Sequence, residues 1–235
     1  MNLQSTTHGD PALIAPPEQL FPLTRQVSYR LTPLIARLPV TPNQITFASM
    51  LLGLAGAGCF AAGSWPWDVG GALLLIAGYA LDNCDGDIAR MKNLCSEFGA
   101  ALDDAADWLV DASVFAALGY GTASSTGESL WLWLGLAAAG GATIDYVVDR
   151  ILERRQRSDP QARSREQQGR EPKKPKDATD WAIYVLHKLS RADFPFILLA
   201  LALLDFAWIV LPPAAIGAQI YWITDLFERA RGWHV

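Results

Sequence analysis

Between Ala80 and Asp111 the chain reads A-L-D-N-C-D-G-D-I-A-R-M-K-N-L-C-S-E-F-G-A-A-L-D-D-A-A-D-W-L-V-D, which sets aspartates among residues apolar enough to cross a bilayer. Carboxylates in such surroundings are costly, and they mark sites of function more often than accidents of composition. If the run from Leu73 to Arg90 is helical, Asp82 and Asp85 share one face, with Gly86 and Ala89 continuing the stripe and Arg90 at its edge. A second helix from about Phe98 puts Gly99, Asp103 and Asp107 on one face as well. A short turn around Lys92 to Ser96 then brings the two acid faces together, with Gly86, Ala89, Gly99 and Ala100 expected to let the backbones approach closely. Like charges gathered at one spot repel, so the four acids call for cations between them.

The rest of the chain fits a membrane setting. Hydrophobic residues make up 51% of the 235 positions and are bunched into long uncharged runs. No charge appears between Arg37 and Asp68, enough for a span from about Asn43 to Gly63, with Thr41 as cap and Pro42 in the first turn. Further spans are expected at about Val69–Met91, Glu97–Thr122, Ser129–Arg150, Phe194–Leu211 and Phe206–Thr224. The last two overlap because the turn between them is placed near Asp205 to Trp208, with Pro212-Pro213 as the competing site. The predicted fold is therefore all-α, a polytopic integral membrane protein with six transmembrane helices and an N-terminal interfacial amphipathic helix. Its parts are a mobile tail over 1–17, the interfacial helix over 18–40 and a six-helix membrane domain over 41–235, with a polar cytoplasmic loop at 153–179.

In the interfacial segment, Leu20, Leu23, Val27, Leu31, Leu34, Ile35 and Leu38 form the apolar stripe, Arg25, Arg30 and Arg37 lie off it, and Pro33 is a possible bend. Packing of this helix on the remainder of the protein is the alternative. The loops expected at 64–68, 123–128 and 205–208 hold no Lys or Arg, so all 19 basic residues fall on the other side, which makes both termini and the acid cluster cytoplasmic. Trp65, Trp67, Trp131, Trp133 and Trp208 mark the opposite interface. With 24 acids against 19 bases, nucleic acid is not an expected partner. Cys59, Cys84 and Cys95 lack metal-ligand spacing, and residues 1–17 lack the pattern of a secretory signal.

Aligned carboxylates at a membrane surface suit Mg²⁺ or Mn²⁺, a pair of which can clamp a diphosphate while one carboxylate takes a proton from an incoming hydroxyl. Phosphoryl transfer is one reading of these residues, and an intramembrane cation or proton pathway built on the same acids is the other. Asp87 and Asp104, off the stripe, are expected to support the ligands or face solvent, and Asp145 and Asp149 to pair with Arg150 or Arg154.

Asp82, Asp85, Gly86, Ala89, Arg90, Gly99, Asp103 and Asp107 spell D-x2-D-G-x2-A-R-x8-G-x3-D-x3-D, and this resembles the signature of the CDP-alcohol phosphatidyltransferases at every position. The resemblance implies that Asp82, Asp85, Asp103 and Asp107 surround two metal ions, with Asp107 as general base. It also implies that Asp85, Gly86, Ala89 and Arg90 meet the cytidine nucleotide, the arginine reaching phosphate. The implied reaction moves a phosphatidyl group from CDP-diacylglycerol, or a related CDP-alcohol, to the hydroxyl of a polar alcohol and releases CMP. A homodimer in a bacterial or archaeal cytoplasmic membrane is implied as well. A phosphorylated acceptor needs cations beside the acids, for which Arg150, Arg154, Lys188 and Arg191 are the candidates. Many relatives that use glycerol phosphate or inositol phosphate have a basic residue directly after the last motif aspartate. Here that residue is Trp108, which leaves serine or a free polyol open as acceptor.

Overall fold

The computed structural model describes residues 23–158 and 194–231, and every regular element among them is helical. Helix α1 spans Leu23–Ala36, α2 Pro42–Phe60, α3 Trp65–Met91, α4 Glu97–Thr126 and α5 Ser129–Ser158. Helix α6 spans Phe194–Leu203, a 3₁₀ turn covers Ala207–Val210, and α7 runs Leu211–Arg231. Two of these, Pro42–Phe60 and Ser129–Glu153, are long and apolar enough to cross a membrane on hydropathy alone. Helices α3 and α4 fall short of that mark because they carry the aspartates.

Local chemistry sets the boundaries. Thr41 caps α2 through its side chain, Gln44 bonds back to the Thr41 N–H, and Pro42 occupies the first turn, where its missing N–H is no loss. The Ser96 hydroxyl accepts from Gly99 N at 3.0 Å to start α4, and Gly127 at φ 76° ends it. Between α3 and α4 the chain reverses through Asn93 at φ 54°, with Leu94 N donating to Ala89 O at 2.8 Å. The break between α6 and α7 runs from Leu204 through the 3₁₀ turn, at the expected place. Pro212 and Pro213 instead lie in the first turn of α7, where prolines are tolerated.

Helix α2 packs on both α3 and α4, α4 packs on α5, α5 on α7, and α6 on α3. Phe60, Leu75, Val114, Leu118, Leu198 and Leu211 make the core at the end of the bundle away from the acid cluster. Small residues set the closest crossings: a Cβ on Gly71 would lie 2.8 Å from Gly56 O, and one on Gly119 would lie 2.8 Å from the Gly135 Cα. Tryptophans gather at the same end, where Trp131 meets Trp208 edge-on at 4.9 Å and Trp65 Nε1 donates to Leu203 O.

Helix α1 lies against α3 and continues through Pro33. The expected apolar stripe is divided. Leu31 and Ile35 pack against Ile45, Cys84 and Ile88, whereas Val27, Leu34 and Leu38 are 36%, 59% and 52% exposed. The fully buried line of α1 is instead Thr24, Ser28 and Thr32. Their size permits close packing, and the helix's own carbonyls satisfy two of the hydroxyls: Ser28 Oγ donates to Arg25 O and Thr32 Oγ1 to Ser28 O. Beyond α1, Lys92 Nζ donates to Leu38 O at 3.1 Å and Val40 O at 3.0 Å, tying the α1–α2 connector to the end of α3. Residues 1–22, 159–193 and 232–235 lie outside the described residues, and with them the tail expected over 1–17 and most of the loop expected at 153–179.

Gly119→Ala should lower unfolding stability in detergent by about 1–3 kcal/mol, because the added methyl meets backbone rather than a yielding side chain. Gly58→Ala, whose Cβ would meet nothing within 4 Å, should change it by less than about 0.5 kcal/mol. Thermal unfolding of the two variants side by side checks both.

Candidate functional site

The last turns of α3 and the first turns of α4 carry the site. One carboxylate oxygen from each of Asp82, Asp85 and Asp103 falls in a group whose members all lie within 4.8 Å of one another. Asp107, one turn further along α4, lines a narrow cavity with Asp82, Tyr79 and Ser49. The structure thus brings three motif aspartates together and sets the fourth beside Asp82, deeper in the bundle.

The means differ from the expectation. Gly86, Ala89, Gly99 and Ala100 do not serve as a seam where α3 and α4 meet; all four line an open pocket. The two helices scarcely touch because α2 packs between them and on both. The first turns of α2 close the pocket with Pro42, Asn43 and Thr46. Asn43 Oδ1 comes so near Gly99 that a Cβ there would sit 3.1 Å from it, so the glycine gives room to an amide and not to a helix backbone.

The electrostatics of this spot suit a cation. Asp85 is 6% exposed, and Thr46 Oγ1 donates a hydrogen bond to its Oδ2. Asp103 Oδ1 is buried with no hydrogen-bond partner among the described residues. None of the ion pairs among those residues involves Asp82, Asp85, Asp103 or Asp107. Converging carboxylates without a basic partner are unstable in a weakly polar setting unless cations sit among them. An all-oxygen donor set of this kind fits Mg²⁺ or Mn²⁺ and is poorly matched to softer metals.

Arg90 also lines the open pocket, and its guanidinium folds back over Gly86, where a Cβ would stand 3.4 Å from Nη1. Its Nη2 bonds to Asp87 Oδ1 at 2.5 Å, and Arg25 of α1 reaches the same oxygen at 2.9 Å. Asp87 is thus a buried, doubly paired acid and not a solvated one. Asp111 is bonded by Tyr79 Oη at 2.5 Å. Arg150, expected beside Asp145 and Asp149, extends instead to Asp104 on α4 at 2.5 Å and to Glu153 at 3.3 Å. Its guanidinium carbon is 5.6 Å from the Tyr146 ring centroid, and Tyr146 stacks on Trp108 at 5.0 Å. Trp108 Nε1 donates to Thr143 Oγ1 at 3.1 Å, so the residue after the last motif aspartate is locked onto α5. Lys188 and Arg191 lie outside the described residues.

Thr46, Asn43 and Tyr79 are site residues that the sequence reading passed over. The available signal was a hydroxyl and an amide in the opening turns of an otherwise apolar span.

Residues 39–223 match the sequence profile of the CDP-alcohol phosphatidyltransferases. A bifunctional IPC transferase and DIPP synthase of Thermococcus kodakarensis is 33% identical over 130 residues, 55% of this chain and 28% of that protein. An archaetidylinositol phosphate synthase of Pyrococcus horikoshii is 32% identical over 100 residues, 43% of this chain and 52% of that protein. The chain therefore spans about a quarter to a half of the length of these curated relatives. Among solved structures, a phosphatidylinositol phosphate synthase of Mycobacterium tuberculosis with CDP-DAG bound superposes with a TM-score of 0.54 at 21% identity, covering 86% of this chain and 92% of that one. This superposition supports the fold.

Thr46→Val should weaken Mn²⁺ binding about tenfold, since Asp85 then loses its neutral donor while staying buried. The shift of the unfolding midpoint with added Mn²⁺ measures it.

Proposed function

The chain belongs to the CDP-alcohol phosphatidyltransferase family, and from that premise we propose that it transfers a phosphatidyl group from CDP-diacylglycerol to the hydroxyl of a polar alcohol, releasing CMP. The observation that carries this reading is the convergence of Asp82, Asp85 and Asp103 within 4.8 Å beside a pocket lined by Gly86, Ala89 and Arg90. That arrangement places acidic oxygens next to a cationic side chain, as binding of a metal-complexed diphosphate requires.

In this reading Asp82, Asp85, Asp103 and Asp107 hold two Mg²⁺ or Mn²⁺ ions, which when bound supply neutralising charge for the diphosphate. Arg90 binds phosphate oxygen through its forked donors, and Gly86 and Ala89 leave space for the nucleotide. Asp107 accepts the proton of the incoming alcohol. As the alcohol oxygen forms its bond to the lipid-bearing phosphorus, the bridging P–O bond breaks and its electron pair leaves with CMP. Arg150, with Lys188 and Arg191, attracts the acceptor. Similarity to the archaetidylinositol phosphate synthase of Pyrococcus horikoshii favours an inositol phosphate, while Trp108 in place of a basic residue favours an acceptor with less charge.

The setting proposed is a bacterial or archaeal cytoplasmic membrane. Helices α2 to α7 form six spans, of which α6 is the shortest at ten residues, with the acid cluster and both termini on the cytoplasmic side. Helix α1 rests at the interface, residues 1–17 form a tail and two copies form a homodimer; the polar cytoplasmic loop expected at 153–179 is cut back at its start, because residues 153–158 are the helical end of α5. The exposed Val27, Leu34 and Leu38 of α1 support its interfacial placement.

Incubation with CDP-diacylglycerol and a panel of alcohols, with products identified by mass, tests the reaction and the acceptor together. CMP release should need Mg²⁺ or Mn²⁺ and stop on chelation. Asp107→Asn should lower kcat at least about a hundredfold, the ordinary contribution of a positioned base. Full turnover by that variant, or cation flux in sealed vesicles without nucleotide, would overturn the assignment.

A further inference from the structure

Asp87 lies off the acid stripe and takes no part in the reaction proposed above, yet it is the most completely buried of the aspartates around the pocket, at 5% exposure. A buried carboxylate is destabilising unless it is paired, and Asp87 is paired through one atom only. Its Oδ1 meets Arg90 Nη2 from one turn along α3 and Arg25 Nη2 from α1, while Oδ2 has no hydrogen-bond partner among the described residues. The side chain of Arg90 is 63% exposed. Without Asp87, a long and solvated guanidinium would sample many rotamers; with it, the group is drawn back over Gly86.

The charges add up in a useful way. Asp87 with Arg90 alone makes a neutral pair with little attraction for a diphosphate. Arg25 supplies a second positive charge, so the group of three keeps a net charge of +1, and Arg90 is its member that lines the pocket.

We propose that Asp87 is a positioning residue that fixes the Arg90 guanidinium over Gly86 for a nucleoside diphosphate, with Arg25 of α1 restoring the positive charge that Asp87 removes. Docking of α1 is thereby coupled to the nucleotide pocket. This rests on the reading of Arg90 as a phosphate ligand.

Titration calorimetry of CDP with Mg²⁺ into the full-length protein in detergent tests the coupling. Asp87→Asn should raise the CDP Kd about tenfold, the ordinary effect of losing a charge-assisted hydrogen bond. Asp87→Glu should fall between Asp87→Asn and the parent, and Arg25→Gln should raise Kd about threefold. In an Arg90→Met background both losses should shrink below about twofold, because the group being positioned is gone. A purely electrostatic role predicts the opposite sign for Asp87→Asn, since removing an acid should tighten CDP. Tighter or unchanged binding by Asp87→Asn overturns the proposal, as does a full loss that persists without Arg90. If Asp87→Asn does not fold, the Arg25→Gln cycle with Arg90→Met decides on the same criterion. Failure of the parent protein to bind CDP would overturn the phosphatidyltransferase reading itself, whereas normal CDP binding by Arg90→Met would overturn the positioning role alone.

Discussion

Repulsion among carboxylates held in a weakly polar bundle is the constraint on which the rest of this structure depends. Among the described residues Asp82, Asp85 and Asp103 converge with no ion pair to a basic side chain, and such a cluster persists only where the surrounding packing holds it and a cation or a proton compensates it. The far end of the bundle provides that packing, with the Gly56–Gly71 and Gly119–Gly135 crossings and the core around Phe60 and Leu118. At the acid end, α2 keeps α3 and α4 apart, so the acids face a pocket and not each other's backbones.

The polar groups around the cluster divide into two sets with different chemistry. Thr46 on Asp85 and Tyr79 on Asp111 are neutral donors that steady acids without cancelling their charge. Arg25 and Arg90 on Asp87, and Arg150 on Asp104, are cations bound to acids that lie off the converging face. The cations are thus paired with neighbouring aspartates, and among the described residues none forms an ion pair with Asp82, Asp85 or Asp103.

Much of this was legible from residue spacing. The motif pattern located the acids, the Thr41-Pro42 and Ser96 caps fixed helix starts, and the break near Asp205 to Trp208 fell where it was expected. What helical periodicity cannot give is the neighbour that a face meets. It groups Asp82 with Asp85, but it does not reveal that α2 brings Thr46 between the acid helices or that α1 turns Thr24, Ser28 and Thr32 inward. Small residues are ambiguous for the same reason: Gly71 admits a backbone, whereas Gly99 admits side-chain oxygens, those of Asn43 and Ser96. Spacing alone leaves Asp87 either supporting the ligands or facing solvent, because its partner Arg25 is remote in the chain and belongs to a helix whose docking face is read from its leucines.

The bonds from Lys92 to the carbonyls of Leu38 and Val40 have a mechanical corollary. They weld the strand of chain entering α2 to the end of α3, so one rim of the pocket behaves as a fixed jaw. The facing stretch, Leu94 to Ser96, is anchored as well, by Leu94 N on Ala89 O and by the Ser96 cap of α4, so both walls of the pocket hang from helix ends and the turn at Asn93 takes up the reversal between them.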